Sequence, residues 1–158
     1  MADARYEDGD EGPLRLLAQG AEDLPVVSAL VQDAVLPAVE MRYDARRRRF
    51  VALVNRFRWE DREAAAREGR PFERVRSLLT VEDVTAVRTQ GIDRRDADLV
   101  LSILSLDWQP GEDGTGRLTL VLAGDGAVAL EVETLELRLD DVTKPYIAPS
   151  RHAPDHGA

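Results

Sequence analysis

The sequence predicts an α+β fold, a single domain in which one N-terminal helix packs on a mostly antiparallel, curled sheet of about eight strands. Three observations support this prediction. The chain has 158 residues, about the length of one domain. One segment near the N-terminus has apolar residues spaced by three and four, as in an amphipathic helix. The other apolar segments are short, and the turns that join them are too short for parallel crossovers.

The first strand and the one predicted helix follow each other directly. Residues 14–19 form the strand. The helix begins near Asp23, a plausible N-cap, and it tolerates Pro25 in its first turn, where the missing N–H breaks no helical bond. It ends at Pro37, because the residue before a proline avoids the helical region. One apolar stripe runs along it, formed by Leu24, Val27, Leu30, Val31 and Ala34.

The next two strands form a hairpin. Residues 38–43 and 50–59 are the strands, and residues 44–49 make a polar turn between them. The core face of the second strand is predicted to carry Val51, Leu53, Phe57 and Trp59. Arg56 and Arg58 then point to solvent, since alternate residues of a strand face opposite ways. This predicts a hairpin with a basic tip and a basic outer face.

The rest of the chain is predicted to be almost entirely strand and turn. Residues 60–72 combine good helix formers with Gly and Pro, so they form a short exposed helix or a mobile loop. The Asp-Gly pair within residues 111–116 is a hairpin signal. The apolar phase changes near Glu133 and Thr134, which indicates a bulge or sharp bend. Further strands are predicted at residues 73–81, 84–90, 99–108, 117–121 and 127–139, with 99–108 covered on both faces.

Composition sets the domain limits and the compartment. Residues 1–12 are predicted to be a disordered acidic tail, residues 13–143 the single α+β domain, and residues 144–158 a C-terminal tail. No apolar run approaches the roughly 20 residues of a membrane helix. The N-terminal segment lacks the apolar region of a secretory signal. With no cysteine for disulfides, a cytoplasmic location is expected.

Catalytic, metal and cofactor sites are not predicted. The two histidines, His152 and His156, lie in the C-terminal tail, away from a rigid core that could orient an imidazole. The acidic loop at residues 93–98 matches no calcium-loop pattern and fits a turn better. Asp107 beside Trp108 is a candidate general acid, although exposure is expected near the strand end. An enzyme that uses carboxylates alone therefore remains the third alternative.

The positive charge is concentrated in residues 42–76, which carry 12 basic and 6 acidic side chains in a chain of net charge −9. The chain has one lysine, Lys144, and all its other basic side chains are arginines, which indicates codon bias in a GC-rich genome. The position of the arginines is therefore more informative than their identity. The predicted binding residues are Arg46, Arg47, Arg48, Arg49, Phe50, Arg56 and Arg58.

Two functions use this Arg-rich hairpin. The leading hypothesis is a non-catalytic protein-interaction or accessory module that binds another protein or a second copy of itself. The alternative is an RNA-binding module, in which the arginines bind phosphates and Phe50 stacks on a base. The net charge opposes attraction to a polyanion. The basic face can also be solvated or paired with acidic segments of the same chain.

Several short segments carry a family resemblance. They include Glu22-Asp23-Leu24, Gln32-Asp33-Ala34-Val35, Asn55-Arg56-Phe57, Trp59-Glu60, Arg74-Val75-Arg76 and Gly91-Ile92-Asp93, with a weaker match at Ser150 to His156. Together they resemble a family of small uncharacterised bacterial proteins, catalogued only as a domain of unknown function. The resemblance covers nearly all of the chain from about Leu14 and implies a bacterial origin. It implies no activity, cofactor or catalytic residue.

Overall fold

The computed structural model describes residues 12–93 and 95–147. Most of the predicted N-terminal tail, and the C-terminal tail beyond Ile147 with both histidines, lie outside the described residues. The strands are β1 Arg15–Ala18, β2 Val35–Pro37, β3 Met41–Asp44, β4 Arg49–Phe57, β5 Glu73–Val81, β6 Val84–Gln90, β7 Val100–Pro110, β8 Gly116–Leu122, β9 Ala127–Val132, β10 Leu137–Asp141 and β11 Tyr146–Ile147. The α-helices are α1 Leu24–Leu30 and α2 Arg62–Arg67. Short 3-10 turns occur at Ala21–Asp23, Ala38–Glu40, Trp59–Asp61 and Glu112–Gly114.

The strands of the described chain form one open, antiparallel, 11-stranded sheet. Its order is β1-β10-β5-β4-β2-β7-β8-β9-β6, with β3 beside β4 and β11 beside β5. The predicted antiparallel pairing is therefore confirmed, but a single helix and about eight strands are wrong. The extra strands are β2, β11 and one more that arises because the last predicted long strand divides. The extra helix, α2, forms in the segment predicted as a short helix or loop.

Helix α1 ends at Leu30, so the predicted end at Pro37 is wrong. Beyond it, Asp33 adopts a left-handed backbone with φ 66°, and the chain turns into β2. Strand β2 pairs with β4 on one side and with β7 on the other. All five residues of the predicted apolar stripe are buried, including Val31 and Ala34. Their spacing continues past the helix because the turn also faces the core.

The predicted strand at residues 127–139 is two strands with different neighbours. Strand β9 pairs with β6 and β8, whereas β10 pairs with β1 and β5. The chain crosses between these two parts of the sheet at residues 133–136. The predicted change of phase is confirmed, since Val132 and Leu135 are both buried. Of the two predicted explanations, the sharp bend at Glu133 and Thr134 is confirmed and a bulge within one strand is wrong.

Strand β7 alternates between buried and exposed residues. Leu101 and Ile103 are buried, while Val100 and Leu104 are exposed. Coverage on both faces, as predicted, is therefore wrong. The first part of β7 pairs with β2, and the remainder pairs with β8. Within residues 12–93 and 95–147, no helix combines the length and apolar character that a membrane crossing requires.

Over residues 50–56, strand β4 faces the core with the residues alternate to those predicted, whereas Phe57 is buried as predicted. Phe50, Ala52 and Val54 are buried, and the inner row continues to Arg56 at the far end. Val51 lies on the other face and is half-buried, as is Leu53. This reversal decides where the arginines of the hairpin lie.

Candidate functional site

The tip of the β3–β4 hairpin is a tight turn over residues 45–48. Asp44 and Arg49 pair at its base. The Asp44 carboxylate accepts hydrogen bonds from the backbone N–H groups of Arg46 at 3.1 Å and Arg47 at 3.2 Å. An aspartate that binds the backbone two residues on is a common turn-forming device. Arg48 completes the turn with a left-handed φ of 54°. The turn therefore displays consecutive arginines outward.

Arg46, Arg47 and Arg48, here called the arginine tip, differ in their partners. Arg47 pairs with Asp44 at 3.3 Å, and its side chain is 73% exposed. Arg48 pairs with Glu133 at 2.5 Å, and its side chain is 52% exposed. The Arg46 guanidinium forms no ion pair within residues 12–93 and 95–147. Exposed pairs of this kind contribute about 0–1 kcal/mol, so the arginine tip is only loosely held.

Arg49 and Phe50 are bound more closely into the molecule than the arginine tip. Arg49 Nε donates to both carboxylate oxygens of Glu82 at 3.1 Å, and the Glu82 side chain is 16% exposed. Phe50 is 2% exposed and belongs to the core. The predicted position of Phe50 as a surface ring that can stack on a base is therefore wrong, because its strand face points inward.

Arg56 lies at the centre of a buried ionic cluster, so its predicted position on an outer face is wrong. It is 0% exposed. Its NH1 and NH2 groups each donate to one Glu60 oxygen at 2.8 Å, and NH2 also donates to Asp141 at 2.9 Å. Its Nε donates to Ser77 Oγ at 2.9 Å, which in turn donates to Asp141 at 2.7 Å. Every guanidinium nitrogen therefore has an acceptor.

Arg58 continues this cluster and is also buried, at 5% exposed, contrary to the prediction. It donates to Glu73 and lies 3.5 Å from Asp61. Asp61 in turn accepts from Arg70 NH1 at 3.1 Å. The residues of this arginine–carboxylate network are Arg56, Arg58, Glu60, Asp61, Arg70, Glu73, Ser77 and Asp141.

The carboxylates of the arginine–carboxylate network stabilise the charged form of Arg56. Burial alone would lower the pKa of Arg56, but Glu60 and Asp141 outweigh it and raise that pKa above its usual value. Asp141 also accepts a hydrogen bond from the backbone N–H of Leu14 at 2.9 Å, which attaches the N-terminal end of the sheet. The network thus joins the residue before β1 and the end of β10 to β4 and β5. Two of its arginines, Arg56 and Arg58, are buried and have almost no exposed surface to offer a partner.

Asn55 and Arg74 form a neighbouring polar contact. Arg74 Nε donates to Asn55 Oδ1 at 2.8 Å, and Asn55 Nδ2 donates to the Tyr146 hydroxyl. Burial lowers the pKa of Arg74, and electrostatic interactions with Tyr146 and Asp33 only partly oppose this. These contacts attach β11 to the sheet, although β11 lies in the segment predicted as tail.

The carboxylate alternatives do not converge on one site. Asp93 accepts from Arg95, and Asp96 accepts from the backbone N–H of Asp98, which are contacts that form a turn. Within the described ranges, no group of three or more acidic or histidine side chains is placed to hold a metal ion. Asp107 is exposed on β7, as expected.

A cavity of about 220 Å³ between β3 and β6 was not predicted. It combines residues that are far apart in the sequence, and only the fold shows that they meet. The sequence signal was limited to the apolar Met41 and Tyr43 on one strand face. The lining residues are Ala38, Val39, Met41, Arg42, Tyr43, Phe50, Val87, Thr89, Ile92, Asp96 and Val128.

The protein is thus built on an antiparallel sheet in which one hairpin carries exposed arginines at its tip. The other end of the same hairpin is held by the buried ion pairs of the arginine–carboxylate network. The chain belongs to the family described as protein of unknown function (DUF2948), whose family model matches residues 14–156. This confirms the predicted family resemblance. A search of curated proteins found no match, and neither did a search of solved structures.

Proposed function

We propose that this protein is a non-catalytic interaction module that binds an acidic protein surface through the arginine tip. The observation that supports the proposal is that these side chains are exposed and are held by weak ion pairs or by none within the described residues. Arg46 forms no ion pair with the described residues, and the pairs of Arg47 and Arg48 are exposed. Exchanging an exposed pair for a pair with a partner costs little free energy. The proposal keeps Arg49 as a supporting residue and leaves out Phe50, Arg56 and Arg58, which are buried.

A protein surface suits the arginine tip better than RNA does. Asp44 and Glu133 lie among the tip arginines, and Glu82 lies beside Arg49. These carboxylates repel a continuous row of phosphates, whereas a protein surface can present both signs of charge. The partner is either another protein or a second copy of this chain. We also propose a cytoplasmic, bacterial protein, as the composition and the family resemblance imply.

The test compares three forms of the full chain as bait in extract of the cells that produce it, with and without nuclease treatment. One is the wild type, and one carries Arg46→Ser, Arg47→Ser and Arg48→Ser. The matched control removes the same charge from exposed arginines elsewhere, through Arg15→Ser, Arg67→Ser and Arg88→Ser. We expect the wild type and the control to retain a common partner, released by moderate salt, and the tip variant to lose it.

Two results would contradict the proposal. Equal retention by the tip variant and the control would show that the arginine tip is not the binding surface. A partner that disappears from the wild type on nuclease treatment would favour the RNA-binding alternative. Light scattering of the purified chain at low salt identifies self-association, in which case the tip variant should be monomeric.

A further inference from the structure

The cavity between β3 and β6 forms where two strands face each other without pairing. Among the described strands, β3 pairs with β4 alone and β6 with β9 alone. The two are joined at one end, because the Tyr43 hydroxyl donates to the Val84 carbonyl at 2.7 Å and Val84 N–H donates to the Arg48 carbonyl at 2.8 Å. These bonds fix the distance between the strands. The opening beside them is therefore held by the fold.

The walls of the cavity are mainly apolar. Phe50 and Val128 are core residues, so the cavity reaches the interior of the molecule. Met41, Val87 and Ile92 are partly buried and pack against that core. Its volume of about 220 Å³ lies below the range of ~300–1,000 Å³ usual for ligand pockets. The occupant must therefore be small and largely apolar.

Arg42 gives the cavity a specific charge. It is the one cation among the lining residues, and it is exposed, so it lies where the cavity meets solvent. Its guanidinium forms no ion pair within residues 12–93 and 95–147. A guanidinium binds a carboxylate through two parallel hydrogen bonds, which gives direction as well as affinity. The combination of an apolar interior and an unpaired cation at the mouth fits an acid with an apolar body.

We infer that this cavity binds a small monocarboxylic acid, with its apolar body between β3 and β6 and its carboxylate on Arg42. Asp96, the one carboxylate in the lining, disfavours ligands with several negative charges. The inference is independent of the proposed function, because Arg42 is not part of the arginine tip.

The probes are 3-phenylpropionate and its uncharged amide, titrated into the full chain and followed by calorimetry. We expect the wild type to bind the acid about tenfold or more tightly than the amide, as a charge-assisted bidentate pair predicts. Arg42→Gln should abolish that preference. The control Arg46→Gln, an arginine of the same hairpin outside the lining, should keep it. Asp96→Asn should strengthen binding of the acid by removing a like charge.

Val87→Phe tests the position of the ligand's apolar body, since a phenyl ring is larger than the valine side chain and fills the space between the strands. It should weaken binding of both probes while the chain stays folded by circular dichroism. Absence of binding of both probes to the wild type would overturn the inference, and so would equal affinity for acid and amide. An unchanged preference in Arg42→Gln, which alters an exposed residue and leaves the core intact, would overturn it as well.

Discussion

The arginine tip and the arginine–carboxylate network lie at opposite ends of β4 and use the same side chain in opposite ways. At the tip, the side chains of Arg47 and Arg48 are more than half exposed and pair through single contacts. At the network, Arg56 is fully buried and donates through all three of its nitrogens. Position along one strand therefore separates arginines that can change partners from arginines that cannot.

The two groups of arginines differ because their partner carboxylates are in different surroundings once the arginine moves away. An exposed arginine that leaves its partner is replaced by water. A buried one leaves carboxylates in a low-dielectric interior, where an uncompensated charge is costly. Removing one charged member of the network therefore destabilises the fold, because its partners stay buried without compensation. The arginines of the tip are exposed, so they can exchange one partner for another at little cost in free energy.

The largest expected effect comes from Arg56→Met. Removing the guanidinium leaves Glu60 and Asp141 buried without their shared cation, so the free energy of unfolding should fall by about 3–5 kcal/mol. Urea denaturation measures this change. The matched control is Arg46→Met, which makes the same replacement at the tip and should alter stability by less than ~0.5 kcal/mol. Equal losses of unfolding free energy in the two variants would contradict the distinction between buried and exposed arginines.

A pair of variants with a smaller expected effect tests which face of β4 is buried. Val54→Thr places a hydroxyl on the buried face, where it should cost about 1–3 kcal/mol. Val51→Thr makes the same change on the half-buried face and should cost less than ~0.5 kcal/mol. Both residues are β-branched, so strand propensity is matched. If Val51→Thr were the more damaging variant, the face predicted from the sequence would be right and Arg56 would point outward.

The smallest effect belongs to the tip. Changing Arg46, Arg47 and Arg48 together to Ser should alter the free energy of unfolding by less than ~1 kcal/mol, because it removes only exposed pairs. Thermal and urea unfolding at low and moderate salt provide the measurement. A loss of several kcal/mol would mean that the arginine tip is structural, and its loss of partner binding could no longer be attributed to the surface.

The sequence does not determine which set of alternate β4 side chains is buried, for a physical reason. Residues 50–54 are all apolar, so either face could be buried, and the choice depended on Arg56 and Arg58. Charged residues are rarely buried unless they are paired. The partners of Arg56 are 4, 21 and 85 residues away, at Glu60, Ser77 and Asp141. Only the fold brings the last two next to it.

Local signals were more reliable where neighbours in sequence decide the structure. Strands β5 and β6 have the predicted bounds, and the Asp-Gly pair does mark the β7–β8 hairpin. The phase change near Glu133 was also correct, but its meaning depended on which strands lie beside it. The same limit applies to the cavity: Arg42 and Val87 line it together because β3 and β6 face each other, and no spacing along the chain indicates this.

The most direct test of the division between the two regions is the chemical accessibility of individual arginines. Phenylglyoxal modifies exposed guanidinium groups, and mass spectrometry of peptides locates each modified residue. In the native chain, Arg46 should react rapidly, whereas Arg56 and Arg58 should react only after urea unfolds the protein. Modification of Arg56 at the rate of Arg46 in the folded chain would contradict the account, because it would place both arginines on one exposed face.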